Sequence, residues 1–181
     1  MKRTISRLHV SLRLLPVAVF AATGFQGAAS AETCTAFKWS VAADLTLMAA
    51  PEAVTVASGG AIASVPSKAI QLQLEPSPGI KFPAASGIKK QAIPQNSFSG
   101  WFKIDAIAKP GLYQITIPDH SWIDVVQNDD LVQSTAFSGD PECKTLRKSV
   151  QFELGSGPVI VQIGGSAEKT MKLTVRQADK K

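Results

Sequence analysis

The 181-residue chain has few of the residues that most enzyme chemistry needs. It contains two histidines and two cysteines, and the cysteines are not at C-x-x-C spacing. Thiol–disulfide catalysis favours that close spacing, so a reactive thiol pair is not indicated. A Gly-rich phosphate loop, a G-x-S-x-G elbow and an H-E-x-x-H helix are all missing from the sequence. The N-terminal apolar stretch Leu14–Ala22 is nine residues long and interrupted by Pro16, far short of the roughly 20 that cross a bilayer as a helix. A surplus of one charge is also lacking. Nineteen Lys and Arg face 14 Asp and Glu, but Lys2, Arg3, Arg7 and Arg13 precede residue 32 with no acid among them. Residues 32–181 therefore carry fifteen bases and fourteen acids, which is no basis for nucleic-acid binding.

Those first residues have the layout of an export signal: a basic start, a short apolar stretch, and small residues at Ala29-Ser30-Ala31. Cleavage is expected before Glu32, leaving a single 150-residue domain in the periplasm or outside the cell. A domain of that size buries roughly 68–70% of its unfolded surface, enough for a real core. Cys34 and Cys143 both lie in the exported part, and in an oxidising compartment they are expected to form one disulfide. Its loop of about 110 residues gives roughly 4.7 kcal/mol in the chain-entropy treatment.

From residue 69 the dominant signal is period-two alternation, the mark of half-buried strands. Ile70, Leu72 and Leu74 alternate with Gln71 and Gln73. Phe98, Phe102 and Ile104 share a parity, and Gly100 between them suggests a bulge. Tyr113, Ile115 and Ile117 follow the Lys109-Pro110-Gly111 turn. Trp122–Gln127 and Leu131–Phe137 flank a polar hairpin turn at Asn128-Asp129-Asp130. Val150, Phe152 and Leu154, then Val159, Val161 and Ile163, then Met171, Leu173 and Val175 complete the pattern. Seven or eight such strands read as an all-β antiparallel sandwich. Upstream, Thr35–Val41 is expected as a first strand and Asp44–Ala50 as a short helix capped by Asp44. Residues 76–96, with four prolines, read as an irregular connection.

The phrases WFKI (101–104), PGLYQITI (110–117), WIDVV (122–126), VQFELGSGPVIVQI (150–163) and MKLTV (171–175) resemble the bacterial pre-peptidase C-terminal domain. That is a small jelly-roll-like sandwich appended to secreted proteins. The likeness covers residues 97–177 and departs at Gly157-Pro158-Val159, where the family usually has Gly-x-Tyr. It implies a non-catalytic module, in some members binding carbohydrate, matrix polymer or calcium. CTAFKW (34–39), SWIDVVQ (121–127) and CKTLRKSVQFEL (143–154) resemble a family of small exported proteobacterial proteins of unknown role. Some of its members carry the label homogentisate 1,2-dioxygenase. A ring-cleaving iron site of that class wants two histidines and a carboxylate. His9 falls in the export signal, so the processed chain offers His120 alone.

The candidate residues are few. Trp101 and Trp122 are out of phase with the apolar parity of their strands, which puts them on the second sheet face. With Tyr113, and with His120 nearby, they are the candidates for a ligand platform of the kind that stacks on sugar rings. Asp119, Asp124 and Asp129 are candidate calcium ligands, since loop carboxylates of a sandwich can supply several oxygens. Asp119-His120-Ser121 are consecutive and cannot converge as a hydrolytic triad, so an Asx turn is expected there. Lys144–Lys148 is the dense basic patch, expected as a solvated loop. The chain is thus expected to be a non-catalytic binding module of the cell envelope, with a glycan or protein partner, no required cofactor and no membrane span after processing. A ring-cleaving dioxygenase is the alternative.

Overall fold

The computed structural model describes residues 34–87 and 93–179; the export signal expected at 1–31 and the end of the tail lie outside the described residues. The alternating segments form strands that pair into two six-stranded sheets. The first runs β1 (Ala53–Ala57), β3 (Ala69–Gln73), β12 (Thr170–Gln177), β6 (Gly111–Ile117), β10 (Lys148–Leu154), β9 (Ser134–Gly139). The second runs β2 (Gly60–Ser64), β5 (Phe98–Ile107), β11 (Gly157–Ser166), β7 (Trp122–Gln127), β8 (Asp130–Leu131), with β4 (Glu75–Pro76) also pairing with β5. The inward residues of both sheets meet in one core, in which Phe102, Ile104, Ile115, Phe152, Val161 and Leu173 are almost fully buried. The inward parities read from the sequence are those the strands adopt.

The sheets are mixed, not purely antiparallel, and the described residues form twelve strands where seven or eight were expected. β1 pairs in parallel with β3, and β2 in parallel with β5. The reason lies in the link between β1 and β2. Ser58 N–H donates to the Gln73 carbonyl at 3.0 Å, in the first sheet, and Gly59 N–H donates to the Trp101 carbonyl at 2.8 Å, in the second. Gly59 has φ +81°, a conformation that costs glycine little. The chain therefore changes sheets at this turn and does not fold back as a hairpin. The bulge expected near Gly100 falls on the neighbouring strand β11, where the register with β5 shifts between Ile163 and Ser166. Gly100 itself is required by close packing, since a β-carbon there would lie 2.9 Å from Leu74 Cδ2.

The outer faces of both sheets are covered by irregular chain. Over the first lies the N-terminal strap, 34–50, including helix α1 (Ala42–Ala49). The expected strand at Thr35–Val41 is absent because its backbone is satisfied by side chains. Ala36 N–H donates to Asp140 Oδ2 at 3.1 Å, and Lys38 N–H to Ser138 Oγ at 2.9 Å. Phe37 and Val41 instead bury with Cys143 and Leu146 in a small second core, closed by the Cys34–Cys143 disulfide. Asp44 is not the helix cap; it lies in the first turn and points at the sheet, fully buried. Its carboxylate accepts from Gln114 Nε2 at 2.6 Å, Arg176 Nε at 2.8 Å and the Thr174 hydroxyl. At the other end of α1, Lys172 Nζ donates to the carbonyls of Met48 (2.8 Å) and Ala50 (2.5 Å), groups a helix C-terminus leaves unpaired.

The second sheet is covered by the connection after β4. A 3-10 turn at Ser77–Gly79 leads into extended chain, and Ala84 exchanges two hydrogen bonds with the Gln162 side chain, at 3.0 and 3.3 Å. No helix among the described residues is long and apolar enough to cross a membrane. The disulfide is consistent with an oxidising compartment.

Candidate functional site

The residue pattern that builds the site begins at the β7–β8 turn. Asn128 and Asp129 have φ of 55° and 66°, the backbone of a tight two-residue hairpin loop. The return strand β8 pairs only through Leu131 with Val126 and Asp130 with Gln127. The chain then leaves the second sheet at Val132-Gln133 and becomes β9, the edge of the first sheet. The single strand expected over Leu131–Phe137 is thus two short strands in different sheets. The start of β7 has no strand beside it on that edge.

This crossing opens a groove of about 410 Å³ between the sheets, lined by Trp122, Ile123, Ser134, Phe137, Lys148 and Val150. Phe137 pairs with Val150 in the register and so shares its inward parity. Because the second sheet does not extend over β9, Phe137 is left 69% exposed, and Trp122 is 39% exposed. They are the two large apolar side chains on the described surface that stand out this far, and they face one groove.

Two lysines frame the aromatic pair. Lys148 Nζ lies 6.0 Å from the Trp122 ring centre, and Lys38 Nζ, from the strap, 5.5 Å from that of Phe137. Both distances suit cation–π attraction. Lys148 also donates to the main-chain carbonyls of His120 (2.9 Å) and Ser121 (2.5 Å), closing the unpaired edge of β7 at that end. Burial pulls its ammonium below the ordinary lysine value, and Asp119 partly offsets this. The expected solvated basic loop is therefore partly structural: Leu146 is fully buried and Lys148 begins β10.

The other candidate residues are placed apart from the groove. Trp101 is half-buried on the outer face of the second sheet, in one cross-strand row with Gln162 and Asp124. It and Trp122 sit on strands separated by β11, so they form no continuous platform. Tyr113 belongs to the core, its hydroxyl donating to the Lys109 carbonyl at 2.8 Å, and burial raises its pKa. His120 is exposed, and its Nε2 accepts from Arg147 Nε at 2.9 Å. The Asx turn is present: Asp119 Oδ1 accepts from Ser121 N–H at 2.8 Å, and Oδ2 from Ser166 Oγ at 2.9 Å. Asp124 holds Trp122 Nε1 (2.8 Å), Ser86 Oγ (2.8 Å) and Gly87 N–H (3.0 Å). Asp129 is at the hairpin tip. These aspartates do not converge. No group of three His, Cys, Asp or Glu among the described residues is placed to hold a metal ion.

Phe137 and Lys148 were not legible as site residues. Phe137 shares an apolar parity with β10, and nothing in the sequence marks where the opposing sheet stops. Comparison with protein-family models, curated proteins and solved structures finds no match to this chain.

Proposed function

We propose that this chain is an exported, non-catalytic binding module of the cell envelope that engages a protein partner through the Trp122–Phe137 groove. One observation carries the reading: two exposed aromatics line one apolar groove, each beneath a lysine. Aromatic anchors in a pocket with a polar rim are the anatomy of a binding hot spot. The groove offers Ser134 and Lys148 as its side-chain polar groups, too few to satisfy the many hydroxyls of a sugar. It suits an apolar side chain with an acidic neighbour on the partner, drawn by Lys38 and Lys148. The export signal and the disulfide support a periplasmic or secreted location.

The test compares immobilised protein with its Phe137→Ser and Lys148→Glu variants for retention of envelope proteins, identified by mass spectrometry. A species held by the parent and released by both substitutions is expected. Equal retention by all three would remove the groove from the account.

A further inference from the structure

A second, chemically different site lies beneath the strap, and it follows from the register of the first sheet. On the outer face, Thr174, Thr116, Ser149 and Ser138 form one cross-strand row. This row is consumed by the strap. Thr174 binds Asp44, Thr116 and Ser149 share a hydrogen bond at 2.9 Å, Ser149 also accepts from Trp39 Nε1 at 3.1 Å, and Ser138 holds Lys38 N–H. The next row is Arg176, Gln114 and Gln151. There the cover stops part-way. Asp44 takes Arg176 and the Gln114 amide nitrogen, while Gln151 is left beyond the helix.

A cleft of about 770 Å³ opens at that point, with Trp39, Gln114, Gln151 and Gln177 among its lining residues. Gln151 is only 9% exposed, yet among the described residues its side-chain amide has no hydrogen-bond partner. Its amide atoms reach the solvent of the cleft, where a ligand would meet them in place of water. Gln114 has its nitrogen on the Asp44 carboxylate and is 1% exposed, so it belongs to the floor of the cleft. Two charged groups, Lys38 and Asp179, line the cleft. Asp179 is bound by Arg176 at 3.1 and 3.2 Å, and Lys38 sits over Phe137. What remains is a half-buried indole with its N–H held by Ser149, beside amides that both donate and accept.

We propose that this cleft binds a neutral saccharide. Hydroxyl groups both donate and accept, matching carboxamides, and the apolar C–H face of a sugar ring matches an indole. A purely apolar ligand would strip water from Gln151 without replacing its hydrogen bonds. The site shares Lys38 with the rim of the Trp122–Phe137 groove but differs from it in its other lining residues and in chemistry.

The experiment is isothermal titration of the full oxidised protein with maltotriose and with tri-N-acetylchitotriose. Saturable binding of at least one is expected, weakened about fivefold to tenfold in Gln151→Ala, the loss of one or two hydrogen bonds. Gln177→Ala, at an exposed rim position, is expected to weaken it as well and serves if Gln151→Ala fails to fold. Phe137→Ser is expected to bind the sugar normally, so failure here and failure of the groove are distinguishable. No saturable binding of either trisaccharide at millimolar concentration overturns the proposal. So does binding that is indifferent to both glutamine substitutions or lost with Phe137→Ser.

Discussion

Asp44 and Arg176 form an ion pair of 2.8 Å in which the carboxylate is fully buried and the guanidinium side chain is 13% exposed. The pair joins α1 to β12 across 132 residues of sequence. Gln114 and Thr174 complete the shell of the carboxylate, so that the charge is hydrogen-bonded on every side the sheet presents. Removing Asp44 leaves Arg176 paired only with the exposed Asp179 and strips the buried Gln114 and Thr174 side chains of their shared acceptor. Asp44→Ala is expected to lower the unfolding free energy by about 3–5 kcal/mol in urea titrations. A loss under about 1 kcal/mol, the range of an exposed pair, would contradict the role assigned to it.

The Cys34–Cys143 disulfide ties the strap to the loop before β10. Its reduction is expected to act in two stages. Amide exchange should rise first across 36–48, where the backbone depends on side chains of β9, the loop after it and the small second core. The strands of the main core should stay protected. The global melt should then fall, with an upper bound near the roughly 4.7 kcal/mol of loop-closure entropy. A melt unchanged by reductant, with an unchanged exchange pattern, would show that the strap holds without it.

Mild acid should loosen the same strap. The Ala36 N–H holds the Asp140 carboxyl below its ordinary value of 3.8, helped by the amides of Glu142 and Cys143 and by Arg147, against a smaller effect of burial. A carboxyl whose pKa is depressed on folding contributes stability above the unfolded value, and that contribution is lost as pH falls through the folded one. Exchange at Ala36 should therefore accelerate only below about pH 4, and Asp140→Asn should remove that dependence. Acceleration between pH 5 and 7 would point to another group.

Gly100 and Gly79 provide an internal contrast. A β-carbon at position 100 meets Leu74 Cδ2 at 2.9 Å and Ser58 Oγ at 3.2 Å, whereas at position 79 nothing lies within 4 Å. Gly100→Ala is expected to cost about 1–3 kcal/mol, and Gly79→Ala to be close to neutral. Equal effects in thermal melts would mean that the β3–β5 approach can relax.

The strands legible in the sequence were those with strong alternation and a clear turn at one end. β7 occurs at the expected bounds, and β6, β10 and β12 contain the expected alternating residues. The strands that were not legible, β1 and β2, read AVTVA and GAIAS. Their small residues give little apolar amplitude, and their parallel pairing at the sheet edges has no turn signal. Alternation also reports which face is apolar but not whether the polar face is covered. Gln114, Thr116 and Thr174 were therefore unremarkable until the strap was seen over them. In the same way Trp122 was legible as an outward aromatic, but Phe137 became a site residue only because the chain switches sheets at Val132-Gln133.

The proposed docking site for a partner is the groove between Trp122 and Phe137. Its most direct test places a photo-crosslinking phenylalanine analogue at position 137 of the full chain, produced in its native cells, and irradiates the cells intact. One discrete adduct, weakened by Lys148→Glu and absent when the analogue is placed at exposed Asp129, is the predicted result. No adduct at 137, or the same adducts from both positions, would contradict the claim.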